Sequence, residues 1–186
     1  DEEALDMLEA RKDQIFVAPA ISVQIRLLNE GEVIGVSNQM AKDMGYEREL
    51  EATVNSMKAM LKRGIRVLPG GDYGFAWAPH GENAKDLEYF VKYLGMTPME
   101  TIVSCTKWGG QMMATGARPR VLAQRDMDVG AGIGVGEDDG APDRARVRHG
   151  ELGEIKDGYL ADMLLVDGDP LSNIAILQDK NRLLAI

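Results

Sequence analysis

Several things are scarce in this chain, and each scarcity excludes something. Its 186 residues include a single cysteine, Cys105, so no internal disulfide can form. Cys105 falls inside an apolar helical pattern, where a buried thiol in a reducing compartment is expected rather than a nucleophile. Positive charge is short as well: 21 Lys and Arg face 30 Asp and Glu, for a net charge of −9. A phosphate backbone or an anionic membrane surface would be repelled, so neither nucleic acid nor membrane is an expected partner. No apolar run reaches the roughly 18 residues that span a bilayer. The first residues, DEEALDMLEA, are acidic where a signal peptide would be basic. A cytoplasmic location is expected, and a start without methionine leaves room for sequence upstream. Histidine is the last scarcity, with only His80 and His149 present.

What is present suits a soluble globular protein of one domain, or one and a part, with 45% hydrophobic and 27% charged residues. Ala4, Leu5, Met7 and Leu8 recur at helical spacing, with acids before them and Arg11 and Lys12 after, which predicts an amphipathic first helix. QIFVAPA, stopped by Pro19, is apolar without alternation and suits a strand covered on both faces. Residues 37–63 are helical in pattern, with Leu50, Val54, Met57, Met60 and Leu61 on one stripe and Gly64 as cap. IRVLPGG reads as a second strand, so residues 13–70 form strand, helical crossover and strand, the unit of parallel sheets. Helices are expected again over 83–94, with Leu87, Phe90, Val91 and Leu94 in a stripe, and over 98–112, with Thr97 as N-cap and Pro98 at the first helical position.

Residues 113–149 change character, holding six arginines, no lysine and little apolar periodicity, as an irregular linker or insertion would. The glycines of GAGIGVGEDDG, 130–140, recur at every second position, which is not the spacing of a phosphate-cradling loop. DGDPLSN, 167–173, begins like a calcium loop but places Leu171 where an oxygen ligand belongs, so a turn is the better reading. Asp162 and Asp167 bracket an apolar stretch and read as turn and surface acids. The end of the chain, with MLLV and a second apolar run between turn signals, fits short strands joined by tight turns.

The residues most informative about chemistry are LPGGDYGFAWAPHG, 68–81. Gly70 and Gly71 allow a close approach of backbone to ligand, and Asp72 follows them at the carboxyl end of a parallel strand, where such sheets keep their sites. The pattern leaves two readings of Asp72 open: a site acid, or an acid that caps a turn.

A resemblance decides between them. The stretches GGDYGFAWAPHGENAKDLEYFV, GMTPMETIVSCTKWGGQMM and LGEIKDGYLADMLLVDGDPL resemble, in order, pieces of the C-terminal part of the amidohydrolase superfamily, nearest the subgroup of imidazolonepropionase-like and Xaa-Pro dipeptidase-like enzymes. This likeness implies an α/β fold: the last strands and helices of a (βα)8 TIM barrel over 1–112, a linker or insertion over 113–150, and strands of a small β-sandwich domain over 151–186. It implies hydrolysis of C–N bonds in small amide or dipeptide-like substrates by a water activated on one or two divalent metals, zinc foremost. Asp72 matches the acid that closes the eighth barrel strand, which contacts metal and moves protons as general base and general acid. His80 matches a histidine-glycine element with a substrate-binding role, the alternative being a loop histidine bonded only to backbone. Tyr73, beside the acid, is a further candidate to line the substrate pocket.

The same resemblance implies metal-binding histidines on earlier strands that two histidines cannot supply. The chain is thus expected to be a C-terminal portion whose barrel is completed by a missing N-terminal part or by a homo-oligomeric partner, since an isolated pair of strands is marginal in water. The alternative expectation is a non-catalytic fragment or scaffold that associates through its small β domain.

Overall fold

The computed structural model describes residues 1–114 and 152–186. The glycine-rich stretch 130–140 and His149, like nearly all of the expected linker, lie outside the described residues; 113 and 114 belong to a helix.

Helix α1, Glu2–Glu9, begins where the Asp1 carboxylate accepts the amide of Ala4 at 2.9 Å. It stops before Arg11 and Lys12, and it buries no residue; Met7, expected on its inner face, is 58% exposed. Charge rather than apolar packing fastens this helix: Glu2, Asp6 and Glu9 all reach the guanidinium of Arg63.

The two apolar segments expected to be parallel strands meet in one parallel step, Val17 beside Val67. Val17 donates to the carbonyl of Arg66 at 3.0 Å and accepts from the amide of Leu68 at 2.8 Å. Between them lie α2 (Ser22–Glu30), a 3-10 turn over Gly31–Ile34, α3 (Asn38–Asp43) and α4 (Tyr46–Lys62). The single helix read over 37–63 is therefore two, parted at Gly45, whose φ of 93° no helix contains. The stripe of α4 packs as its spacing predicts: Met57 is buried with Ile21, Ile25, Val67, Phe90, Leu94 and Met96, while Leu50, Val54, Met60 and Leu61 lie against them. At about 25 cal/mol per Å2 of apolar surface, side chains of this size contribute about 1.5–3 kcal/mol each when fully buried.

Helix α5, Lys85–Tyr89, widens into a π turn over Phe90–Leu94 and ends at Gly95. Then Thr97 caps α6 (Pro98–Val103) as the sequence predicts, its hydroxyl accepting the amide of Glu100 while the Glu100 carboxylate accepts the amide of Thr97. A second π turn, Ser104–Trp108, leads into α7, Gly109–Ala114. None of the described helices is long and apolar enough to cross a membrane.

In the last segment β1 (Leu165–Val166) pairs antiparallel with β2 (Leu183–Ala185). The second apolar run, expected among short strands, is instead a 3-10 helix over Ile174–Gln178, started by the Asn173 side chain accepting the amide of Ala175. Its Ile174 is buried and its Gln178 donates to Glu88 at 2.7 Å, which lays the turn on α5. DGDPLSN is a turn, closed by the Asp169 carboxylate accepting the amide of Leu171.

Candidate functional site

Asp72 follows Val67 by five residues, just past the point where the parallel step ends. Its side chain is exposed, and among the described residues it has no hydrogen-bond or ion-pair partner. A turn-capping aspartate would bond a nearby amide, and Asp72 bonds none among the described residues. Its backbone is unusual: φ is 50°, in the left-handed region. Only one other residue besides glycine has positive φ among those described, Ala20 at 48°, and it ends the other half of the parallel pair. A left-handed L residue costs about 1–2 kcal/mol, so surrounding contacts must hold each one there.

The contacts around Asp72 come from α2 and α5. Ser22, at the start of α2 and fully buried, donates its hydroxyl to the carbonyl of Gly71 at 2.8 Å. Asp86, 3% exposed on α5, accepts the Tyr73 hydroxyl at 2.8 Å. Gly71 is the residue that lets these groups converge. A Cβ there would stand 2.2 Å from Tyr73 Cε2, 2.6 Å from Ser22 Oγ and 2.7 Å from Asp86 Oδ2. Its lack of a side chain makes room for the side chains of Tyr73, Ser22 and Asp86.

Arg26, one turn further along α2 than Ser22 and completely buried, closes the cluster. Its guanidinium donates to the carbonyl of Trp77 at 2.6 Å and to the Glu82 carboxylate, lies 3.5 Å from Glu30, and sits 5.4 Å from the centre of the Tyr73 ring. Hydrogen bonds from Arg26 and then Lys85 hold Glu82 below the usual carboxylate range. Burial pushes Asp86 the other way, upward, against the hydroxyls of Tyr73 and Ser22 and the charge of Arg26. Tyr73 is raised far above an ordinary phenol, first by burial and then by its bond to Asp86, so it stays a donor at any physiological pH.

The loop beyond is a short hairpin. Gly74 donates to the carbonyl of Ala78 at 2.8 Å, and Phe75 stacks on Trp77 with ring centres 4.8 Å apart. His80 is exposed, and its ring lies over Gly74, where a Cβ would come within 3.1 Å of Nε2. Asp72, Tyr73 and His80 therefore share one loop, but they face different ways: Asp72 outward, the Tyr73 hydroxyl into the α2–α5 cluster, and the His80 ring against the hairpin. Ser22, Arg26 and Asp86 escaped the sequence reading. A signal existed for α2, since Ile21, Ile25 and Leu28 recur at helical spacing, but nothing local pairs Ser22 with Gly71, 49 residues away.

The chain is similar to ochratoxinase from Aspergillus niger, which matches in three versions from that species, at 25% identity over 179 residues. That alignment takes in 96% of this chain but only 29% of the relatives' length. No family model matches the sequence, and no solved structure matches it. The likeness agrees with the amidohydrolase resemblance at the level of general kind and extends no further.

A divalent metal needs three or four well-placed protein ligands for tight binding. Among the described residues no three His, Cys, Asp or Glu side chains gather into such a group. Asp72 alone stands where the resemblance places a metal contact, and these residues by themselves do not make a metal site. Cys105 lines a cavity of about 260 Å3 under Gly70 and Gly71, and burial pushes its thiol above the usual range, which suits an inert rather than a nucleophilic cysteine.

Proposed function

We propose that this chain is the C-terminal portion of an amide-bond hydrolase of the amidohydrolase kind, with Asp72 as its proton-transferring acid. One observation carries the reading: a strained, exposed aspartate without a partner among the described residues stands at the carboxyl end of a parallel pair, in a chain similar over 96% of its length to a hydrolase named for ochratoxin. An acid held in an unfavourable backbone conformation without a partner among the described residues is poorly explained by stability and well explained by a task. That task is proton transfer. As attacking water adds to the carbonyl carbon, the Asp72 carboxylate accepts its proton; as the C–N bond breaks, the same carboxyl gives a proton to the leaving nitrogen.

The remaining assignments follow from the resemblance. The fold is the end of a (βα)8 barrel followed by a small β domain, and the substrates are small amides or dipeptide-like molecules, with His80 in the substrate-binding role the resemblance implies. The divalent ion expected of this family, zinc foremost, would need its ligands from residues beyond those described. The strands that complete the barrel would come from the rest of a longer chain, since the relatives extend well past this one, or from a second copy.

The test is Asp72→Asn in the longest product that contains these residues, assayed on a panel of N-acyl amino acids and dipeptides that includes N-benzoylglycine. Turnover should fall by about 10² to 10⁴-fold, the usual worth of general acid-base assistance, with melting temperature and metal content measured alongside so that loss of fold or metal is not mistaken for loss of chemistry. Near-normal turnover by a folded Asp72→Asn protein would show that this acid is structural.

A further inference from the structure

Two facts about Asp72 pull against each other: its backbone is held in the left-handed region, and among the described residues its side chain has no hydrogen-bond or ion-pair partner that could hold it there. The conformation is therefore imposed by its neighbours in the chain. Both neighbours are anchored. Before Asp72, the carbonyl of Gly71 accepts the hydroxyl of Ser22 at 2.8 Å; after it, the Tyr73 hydroxyl donates to Asp86 at 2.8 Å. The anchors converge on one buried point. Ser22 Oγ and Asp86 Oδ2 lie within 2.6 and 2.7 Å of the same unfilled position on Gly71. Ser22 gives its single hydroxyl proton to the Gly71 carbonyl while standing close enough to Asp86 to lower the pKa of that carboxyl against burial. Arg26 completes the frame by fixing the carbonyl of Trp77 on the far side of the loop.

We propose that Asp86 is a positioning residue for Asp72: through Tyr73 on one side, and through Ser22 and Gly71 on the other, it fixes the left-handed turn that aims the Asp72 carboxylate. The proposal rests on the reading of Asp72 as the proton-transferring acid. It also gives Tyr73 a role its place in the sequence did not suggest, as a strut behind the acid instead of a wall of the substrate pocket. A buried carboxylate is suited to this work because its charge strengthens the hydrogen bond from Tyr73 and makes the loop stiff where it matters.

A double-mutant cycle tests it, in the longest product containing these residues. Asp86→Ala, Asp72→Asn and the double variant are compared on N-benzoylglycine or the best-used member of the panel, with the folded fraction measured by circular dichroism at the assay temperature. Tyr73→Phe, which keeps the volume of the ring, serves as a second variant should Asp86→Ala fail to fold. Misplacing a reacting group by about 1 Å can cost about 10²-fold, so each of Asp86→Ala and Tyr73→Phe should lower kcat by roughly 10- to 100-fold with KM little changed. Neither should lower kcat further in the Asp72→Asn background, because there is no longer a proton acceptor to aim. Asp86→Asn retains an oxygen for Tyr73 and should recover most of kcat. An equal loss with Asp72 intact and in the Asp72→Asn background would overturn the positioning role, as would a Tyr73→Phe effect confined to KM. A harmless Asp72→Asn would instead overturn the functional reading on which it rests.

Discussion

Replacing Gly71 with alanine adds one methyl group to a place the protein has already filled. The backbone itself permits the change, since among the described glycines Gly71 is not one with positive φ; the cost is therefore overlap and not backbone strain. The new Cβ would lie 2.2 Å from Tyr73 Cε2, 2.6 Å from Ser22 Oγ and 2.7 Å from Asp86 Oδ2, all far inside contact distance. Something must move, and every candidate is half-buried or buried and hydrogen-bonded. Displacing Tyr73 breaks a bond to a charged acceptor, worth about 1.5–3 kcal/mol, and displacing Ser22 breaks a neutral one, worth about 0.5–1.5 kcal/mol. With overpacking adding about 1–3 kcal/mol, a loss of about 3 kcal/mol is a fair central value. Gly109 supplies the control: it lies within continuous helical backbone and a Cβ there meets nothing within 4 Å. Gly109→Ala should stabilise by about 0.5–1 kcal/mol through backbone entropy alone. Urea unfolding followed by circular dichroism measures both, read as midpoint shifts at constant slope. If Gly71→Ala came within about 0.5 kcal/mol of the unaltered protein, the range of an ordinary surface change, the cluster behind the loop would be looser than these distances require and the reasoning would fail.

Three further outcomes are expected. Burial raises the Asp86 carboxyl above its ordinary value of 3.8, so between that value and the raised one the native state holds more protons than the unfolded chain, and its stability falls as pH rises; asparagine cannot titrate, so the stability of Asp86→Asn relative to the unaltered protein should climb across this window, and a flat difference in denaturant midpoints would refute the shift. Gly153 has φ of 87° and a Cβ on it would meet the carbonyl oxygen of Thr106 at 2.1 Å, so Gly153→Ala should cost about 2–4 kcal/mol and speed proteolysis within 152–186, while unchanged protection would count against a tight seat on the second π turn. Thr97→Ala removes the reciprocal cap of α6 and should cost about 0.5–2 kcal/mol, seen as a lowered melting temperature; no change would mean that Pro98 and packing set the start of this helix unaided.

Where physics acts over a few residues, the sequence by itself determined the outcome. The stripe of α4 lies against the core because 3.6 residues make a turn whatever follows, and Thr97 caps α6 because hydroxyl, proline and glutamate stand at the required spacing. It also exposed the loop that holds Asp72, since two glycines before an acid at the end of an apolar run form a local pattern. Met7 shows where such patterns stop: helical spacing placed it on an apolar face, but three acids binding Arg63, far along the chain, set how α1 lies. The surroundings of Asp72 show it again. Nothing near Gly71 or Tyr73 in the sequence names the side chains that pack against them. Only the tertiary structure brought Ser22 and Asp86 to that point, 49 residues before Gly71 and 13 after Tyr73, and turned the glycine into a seat for two buried polar side chains. The physical reason is that a buried polar group must find a partner wherever the fold can bring one, and hydrogen bonds across such separations leave no periodicity in the chain that makes them.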